Sequence, residues 1–153
     1  MVFGFCMPNP NHYFTLNMYN TTTVMQRTIL LVDDDEEEYY IIKLALEMTG
    51  ENCQCVWANG LEQATHLVKE LQPEFVFIDI NMPRYNGLNC LKQLKELDQL
   101  KKSVFVMYST YISEEDHKKA LQLGADCCIP KPENVKILRK HLMSLFNDKT
   151  HCP

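Results

Sequence analysis

Polar side chains that could do chemistry together stand directly after short apolar runs of the sequence. If those runs are strands of a parallel sheet in the order 2-1-3-4-5, their ends lie side by side at one edge, where open α/β sheets bind ligands. Three clustered carboxylates repel one another unless a cation lies among them. The sequence therefore predicts a cation site beside a hydroxyl and an ammonium, built from Asp33, Asp34, Asp79, Ser109 and Lys131.

The ligand types indicate which cation this site would hold. Carboxylate oxygens favour a hard ion, and a site with few protein ligands and room for water suits Mg²⁺ better than Ca²⁺. No Cys or His accompanies the strand ends, which argues against zinc. A Mg²⁺ site beside a lysine and a hydroxyl is typical of phosphoryl transfer. An ionised aspartate is a competent nucleophile there, and its product would be an acyl phosphate.

Each of these residues also has an ordinary structural interpretation when it is taken alone. Asp34 or Asp35 would serve as the N-cap of the following helix, and the acidic run 36–38 would complement the positive end of the helix dipole. A single serine or lysine at a strand end carries no function by itself. The common placement of all five at successive strand ends is what favours a functional site.

Alternating strand and helix patterns predict the elements that position this site. Apolar runs at 29–32, 75–78 and 104–108 are short, continuous and rich in β-formers, as strands buried on both faces must be, and 53–57 and 127–129 are weaker candidates. Five helical patterns lie between and after them. We expect an α/β fold with a doubly wound, five-stranded parallel sheet. The helical patterns are Tyr40, Ile41, Leu44, Ala45 and Met48, ended by Gly50; 64–71, ended by Pro73; 88–97; a helix from a capping box at Ser113 and Asp116 to Gly124; and 135–145.

Composition excludes several other classes of protein. The chain has 153 residues, enough for one ordinary domain, and a formal net charge of −5, which argues against a nucleic-acid partner. No stretch approaches the roughly 20 apolar residues that span a bilayer, so we expect no membrane partner. The seven cysteines are odd in number and irregularly spaced, which favours free thiols in the cytoplasm over disulfides.

The first 26 residues differ in composition from the rest of the chain. They contain no Asp, Glu, Lys or Arg and show no apolar periodicity. We predict a disordered or non-native leader at 1–26, with translation starting at Met25 as an alternative, then a main domain at 27–147 and a short tail at 148–153.

Over residues 27–147 the chain resembles the receiver domain of two-component response regulators. The resemblance depends on the Asp33-Asp34 pair, on the segment DINMPRYNG at 79–87, which fits the family signature D-x-x-M-P-x-x-x-G, on Ser109, and on GAD at 124–126 leading into IPKP at 129–132. It implies the flavodoxin-like receiver fold with sheet order 2-1-3-4-5.

The resemblance also implies a role for each site residue. Asp79 would be the phosphoacceptor, and Asp33, Asp34, Asp79 and the backbone carbonyl of Asn81 would hold Mg²⁺. Ser109 and Lys131 would contact the phosphoryl oxygens, and the Lys131–Pro132 bond would be cis, as this family usually has it. Asn81, Thr110 and Tyr111 would border the site, with Asn81 and Tyr111 tuning hydrolysis of the acyl phosphate.

Two positions depart from the family pattern. Thr110 stands where a small residue is common, which would narrow access to the phosphoryl group. Cys128 stands where the family usually has a Tyr or Phe that turns inward on phosphorylation, which puts that readout in question; Tyr108 and Tyr111 are candidate substitutes.

The resemblance implies a function in a phosphorelay. The donor would be a histidine kinase or a histidine phosphotransfer protein, and the signal would pass to an unidentified downstream protein by a change of surface. With only 22 residues after Lys131, we expect a stand-alone receiver without an output domain, not a turnover enzyme, with a possible phosphorylation-dependent dimer through the helix 4–strand 5–helix 5 surface.

Two other functions remain open. A phosphatase of the haloacid dehalogenase type also uses a strand-end aspartate, but it needs a second aspartate two residues later, where this chain has Asn81. A receiver fold that binds partners without phosphorylation is the other alternative. Phosphate release from simple monoesters would indicate the first, and partner binding that survives Asp79→Asn would indicate the second.

Overall fold

A five-stranded parallel sheet forms the centre of the described part of this computed structural model, residues 26–149. The strand order is β2-β1-β3-β4-β5, which confirms the predicted doubly wound fold, including its two weaker strands. The register places Val32 beside both Ala58 and Ile78, so the carboxyl ends of β1, β2 and β3 lie level. Ile78 pairs with Met107, and β4 continues two residues further, to Ser109. The strands are β1 (Arg27–Val32), β2 (Cys53–Ala58), β3 (Phe75–Ile78), β4 (Val104–Ser109) and β5 (Cys127–Pro130).

Helices cover both faces of the sheet. One buried cluster joins the sheet to α2, α3 and α4, and a second joins it to α1 and α5. Every residue of β3 and β4 is buried, as strands covered on both faces require. A 3₁₀ turn at Asp98–Leu100 precedes β4. The helices are α1 (Glu36–Glu47), α2 (Leu61–Leu67), α3 (Gly87–Lys95), α4 (Glu114–Gln122) and α5 (Val135–Asn147).

Side-chain caps fix where four of these helices begin. Asp35 accepts a hydrogen bond from the backbone N–H of Glu37, and Asn86 and Asn134 cap α3 and α5 in the same way. Ser113 accepts from the N–H of Asp116, as the sequence predicts. The caps of α1 and α3 stand three and eight residues after the last residues of their strands, which keeps those connecting loops short and well defined.

The predicted buried face of α1 is wrong. Tyr40 is 58% exposed and Leu44 is 50% exposed, whereas Ile42 and Leu46 are buried with Ala45. Apolar residues occur on both sides of this helix, so spacing alone could not decide which side faces the sheet. The helix also ends at Glu47 with Met48 in the cap position; Gly50, at a φ of 75°, lies two residues further on.

Part of the predicted organisation lies outside the described residues. These omit 1–25 and 150–153, and with them the Met25 start and most of the predicted leader and tail. Within the described range, no helix is both long enough and apolar enough to cross a membrane. The five cysteines of that range are free thiols: Cys53, Cys55, Cys90, Cys127 and Cys128.

Candidate functional site

Three carboxylates meet at the carboxyl edge of the sheet. Asp33 follows β1 and is completely buried, Asp79 follows β3 and is 7% exposed, and Asp34 is exposed. One oxygen from each lies within 4.8 Å of the others. Because Val32 pairs with Ile78 in the sheet, the two strands deliver their next residues to the same place. The structure thus brings together the three aspartates that the sequence singled out.

The ammonium of Lys131 lies among buried carboxylates. Lys131 follows β5, and its Nζ is 2.8 Å from Oδ2 of Asp33, 3.3 Å from Oδ2 of Asp79 and 3.7 Å from Oε1 of Glu38. Its side chain is only 11% exposed. Pairs with so little contact with water are weakly screened, so this lysine compensates much of the local negative charge.

A short hydrogen-bond chain joins Asp79 to the β4–α4 loop. The Ser109 hydroxyl donates to Oδ1 of Asp79 at 2.5 Å. The side-chain amide of Asn81 donates to Oγ of Ser109 at 2.9 Å and to the carbonyl of Tyr111 at 3.0 Å. The N–H of Asn81 also donates to Oδ1 of Asp79. Oδ1 is therefore held by Ser109 and Asn81, whereas Oδ2 faces Lys131.

Gly87 lets α3 begin directly against the backbone of Asp79. A Cβ at this position would lie 2.0 Å from the carbonyl oxygen of Asp79 and 2.6 Å from Cα of Ile80. The N–H of Gly87 donates to the carbonyl of Ile80 at 3.2 Å. The glycine that ends the DINMPRYNG segment thus fixes where Asp79 stands, because no side chain fits in this contact.

The β1–α1 loop, which carries Asp33 and Asp34, is held by two hydrogen bonds to Asp33. The indole N–H of Trp57 donates to the carbonyl of Asp33 at 2.8 Å. The N–H of Asp35 donates to Oδ1 of Asp33 at 2.9 Å. Trp57 is near the end of β2, the neighbour of β1, so an edge strand helps to position the acidic pair.

Burial and charge pull in opposite directions on the ionisable groups of the site. Burial raises the pKa of Asp33, although Lys131 and the N–H of Asp35 oppose the shift. Burial also raises the pKa of Glu38. Burial alone would lower the pKa of Lys131, but its hydrogen bond to Asp33 and the surrounding carboxylates raise it. The lysine is charged at neutral pH, and burial makes Asp33 and Glu38 costly to ionise without a further cation.

The acidic cluster has the donor set of a magnesium site. Its ligands are carboxylate oxygens, and no Cys or His joins the cluster in the described part of the chain. Hard oxygen donors suit Mg²⁺, and a cation there would offset the burial that raises the pKa of Asp33. Asp33, Asp34 and Asp79 are the side chains that fit this ion.

The expected cis bond before Pro132 is wrong for this structure. No peptide bond in the described residues is cis, so Lys131–Pro132 is trans. The trans form is the lower-energy isomer of an X–Pro bond by default. The lysine reaches Asp33 and Asp79 from this backbone.

The β4–α4 loop and β5 border a surface cavity of about 370 Å³. Thr110, Tyr111 and Cys128 are among its lining residues. Thr110 is exposed and Tyr111 is 71% exposed, whereas Cys128 is half-buried and burial raises its pKa to about 11. Tyr108, by contrast, is 1% exposed and packs against Phe77 in the cluster with α1 and α5. Of the two candidate substitutes for the family's aromatic residue, only Tyr111 adjoins this cavity.

Sequence reasoning missed two residues that contact the site. Glu38 was interpreted only as a favourable charge at a helix start, and Trp57 only as part of a weak strand. The spacing Asp35-x-x-Glu38 does place Glu38 one turn into α1, but only the packing of α1 against the sheet shows that it faces Lys131.

Comparison with known proteins identifies the class. The family model described as "Response regulator receiver domain" matches residues 29–143. The protein-glutamate methylesterase/protein-glutamine glutaminase 1 of Methanospirillum hungatei is 38% identical over 85 residues, 56% of this chain and 25% of that protein. The transcriptional regulatory protein CpxR of Escherichia coli is 39% identical over 106 residues, 69% of this chain and 43% of that protein.

Solved structures agree with this assignment at the level of the fold. The crystal structure of a response regulator from Thermotoga maritima superposes with a TM-score of 0.70 at 19% identity, covering 81% of this chain and 100% of that one. This chain belongs to the response regulator receiver family, the signalling domain of two-component systems. It spans less than half the length of the two curated relatives above.

Proposed function

We propose that this receiver accepts a phosphoryl group on Asp79 from a phosphohistidine donor. The observation that carries the proposal is the convergence of Ser109, Lys131 and two further aspartates on one carboxylate at the sheet edge. A carboxylate with an ammonium, a hydroxyl and a hard-cation site beside it has what phosphoryl transfer requires.

Each residue of the site has a separate role in phosphoryl transfer. A carboxylate oxygen of Asp79 attacks the phosphorus, the P–N bond of the donor breaks, and the imidazole nitrogen keeps the electron pair. The Lys131 ammonium and the Ser109 hydroxyl, which now contact Asp79, take up charge on the phosphoryl oxygens. Asp33, Asp34, Asp79 and the carbonyl of Asn81 would hold Mg²⁺, which supplies charge neutralisation when bound.

Asn81 and Gly87 hold Ser109 and Asp79 in position for this reaction. Asn81 orients the Ser109 hydroxyl, because its amide donates to Oγ of Ser109. Gly87 keeps the Asp79 backbone against the start of α3. The two other borders of the site, Thr110 and Tyr111, are exposed; in our proposal they affect how water reaches the acyl phosphate.

We assign the donor to the histidine kinases or histidine phosphotransfer proteins, and the response to a change of surface read by a downstream protein. The domain would catalyse its own phosphorylation and dephosphorylation without turning over a separate substrate. The free thiols of the described residues support a reducing, cytoplasmic location.

Incubation with acetyl phosphate and Mg²⁺, read on a phosphate-affinity gel, tests the proposal. We expect a shifted band that is lost in Asp79→Asn and strongly reduced by EDTA. Ser113→Ala, which removes the N-cap of α4, is a matched control and should keep the shift. A shifted band that persists in Asp79→Asn would move the phosphoacceptor elsewhere and contradict the proposal.

A second candidate function is partner binding without phosphorylation. Cys128 favours it, since a small half-buried thiol stands where the family's moving aromatic ring usually is. Partner capture by wild type and Asp79→Asn separates the two functions. Equal capture under phosphorylating conditions would favour the second candidate, and capture that needs Asp79 would favour the first.

A further inference from the structure

Glu38 in the first turn of α1 places a fourth carboxylate next to the site. Its Oε1 is 3.7 Å from Nζ of Lys131, and its side chain is only 15% exposed. Its Oε2 is buried and has no hydrogen-bond partner among the described residues. The neighbouring Glu37, one residue earlier on the same helix, is exposed. Glu38 thus differs from the other acidic residues of this turn in facing inward.

The usual structural role of such a glutamate is already filled. In a capping box, the glutamate three residues after the N-cap accepts a hydrogen bond from the N-cap N–H. Here the N-cap is Asp35, and its N–H donates to Oδ1 of Asp33 at 2.9 Å instead. Glu38 is therefore not needed to cap α1, and its carboxylate faces Lys131 and the hydroxyl of Tyr108.

The carboxylates around Lys131 outnumber its single ammonium and lie at different distances from it. The ammonium contacts Asp33 and Asp79 at hydrogen-bond distance and Glu38 at the longer distance of an ion pair. Three carboxylates thus face one ammonium, and Asp34 adds a further negative charge to the same cluster. Glu38 comes from helix α1, whereas the other three come from strand ends, so it attracts the ammonium from another side.

We propose that Glu38 is a positioning residue that acts on the phosphoryl site through Lys131. It draws the ammonium away from the phosphoryl group on Asp79, which weakens binding of that group, and it adds negative charge that strengthens Mg²⁺ binding. This inference rests on the proposed function and deepens it by naming a residue that sets the balance between the cation and the phosphoryl group.

Loss of the Glu38 charge therefore has two effects of opposite sign. Mg²⁺ binds more weakly, because one carboxylate fewer attracts it. A phosphoryl-like anion binds more tightly at saturating Mg²⁺, because Lys131 is freed and one like charge is gone. A residue that only supports the fold would weaken both, since a loosened site holds neither ligand well. The opposite signs are what a purely structural role cannot produce.

Isothermal titration calorimetry on the full chain at low salt tests this with wild type, Glu38→Gln and the control Glu37→Gln. Mg²⁺ is titrated alone, and beryllofluoride, which mimics a phosphoryl group on a carboxylate, is then titrated at saturating Mg²⁺. For Glu38→Gln we expect the Kd for Mg²⁺ to rise about three- to tenfold and that for beryllofluoride to fall by a similar factor, as one charge at intermediate dielectric implies. Glu37→Gln should change either value by less than about twofold.

The outcomes separate this inference from the proposed function. If Glu38→Gln binds both ligands more weakly, or binds both as the wild type does, the role of Glu38 is overturned. The proposed phosphoacceptor site still stands in that case, provided that the wild type binds both ligands. A wild type that binds no beryllofluoride with Mg²⁺ would overturn both. Glu38→Met, which removes the charge with a side chain of similar length, must give the same two shifts if charge is the cause.

Discussion

Replacement of Gly87 by alanine should damage both the stability and the phosphorylation of this domain. The new Cβ would lie 2.0 Å from the carbonyl oxygen of Asp79, and real Cβ contacts are essentially never under 3.0 Å, so backbone must move by at least 1.0 Å. Overpacking against atoms that cannot rotate away costs about 3 kcal/mol, which lowers the Tm by roughly 10 °C in a domain of this size. The movement falls on Asp79 itself, so the rate of phosphorylation by acetyl phosphate should fall about 100-fold.

Gly50→Ala is the matched control, because both substitutions change the unfolded chain in the same way. Gly50 has a φ of 75° and nothing within 4 Å of an added Cβ. The Gly50→Ala substitution therefore introduces backbone strain but no steric clash, which lowers the free energy of unfolding by about 1 kcal/mol. Gly50 is also far from Asp79 in the sequence. Urea unfolding and phosphorylation rates of the two variants provide the comparison. If Gly87→Ala loses no more stability than Gly50→Ala, or is phosphorylated at a near wild-type rate, the close packing at Asp79 does not determine the site.

Two further predictions concern the acidic loop. Without Mg²⁺, the free energy of unfolding should rise as the pH falls from neutral toward the ordinary pKa values of 3.8 for Asp33 and 4.5 for Glu38. Burial raises the pKa of both groups in the folded state, so over that range the folded state binds protons that the unfolded state releases. Urea titrations at each pH measure this; saturating Mg²⁺ or Asp33→Asn should flatten the curve, and stability that instead falls over this range would contradict the assigned shifts. Trp57→Phe keeps an aromatic side chain but removes the N–H that donates to the Asp33 carbonyl, so calorimetry should show Mg²⁺ affinity about tenfold lower. An unchanged Kd would show that this hydrogen bond does not position the loop.

The sheet and the site residues at its edge were predictable because both depend on local patterns. Continuous apolar runs marked β1, β3 and β4, and the polar residue after each run had to lie at the shared carboxyl edge once the strands were parallel. Asp33, Asp79 and Ser109 follow directly from this reasoning. The match to the family pattern adds the expected roles, which the experiments above test.

The contacts of α1 could not be predicted in the same way. Both sides of the helix carry large apolar residues, and the sequence pattern favoured the side of Tyr40 and Leu44, which is exposed. Glu38 reaches Lys131 only because α1 packs with Ile42 and Leu46 inward. Side-chain orientation on a short helix depends on tertiary packing, which spacing does not encode.

Covalent trapping of the phosphorylated protein tests the central claim most directly. The protein is phosphorylated with acetyl phosphate and Mg²⁺ and then treated with sodium borohydride, which reduces an acyl phosphate of aspartate to homoserine. Peptide mass spectrometry identifies the reduced position. The account predicts homoserine at position 79 and unmodified aspartate at 33 and 34. Homoserine at either of those two positions, or at none of the three, would contradict it.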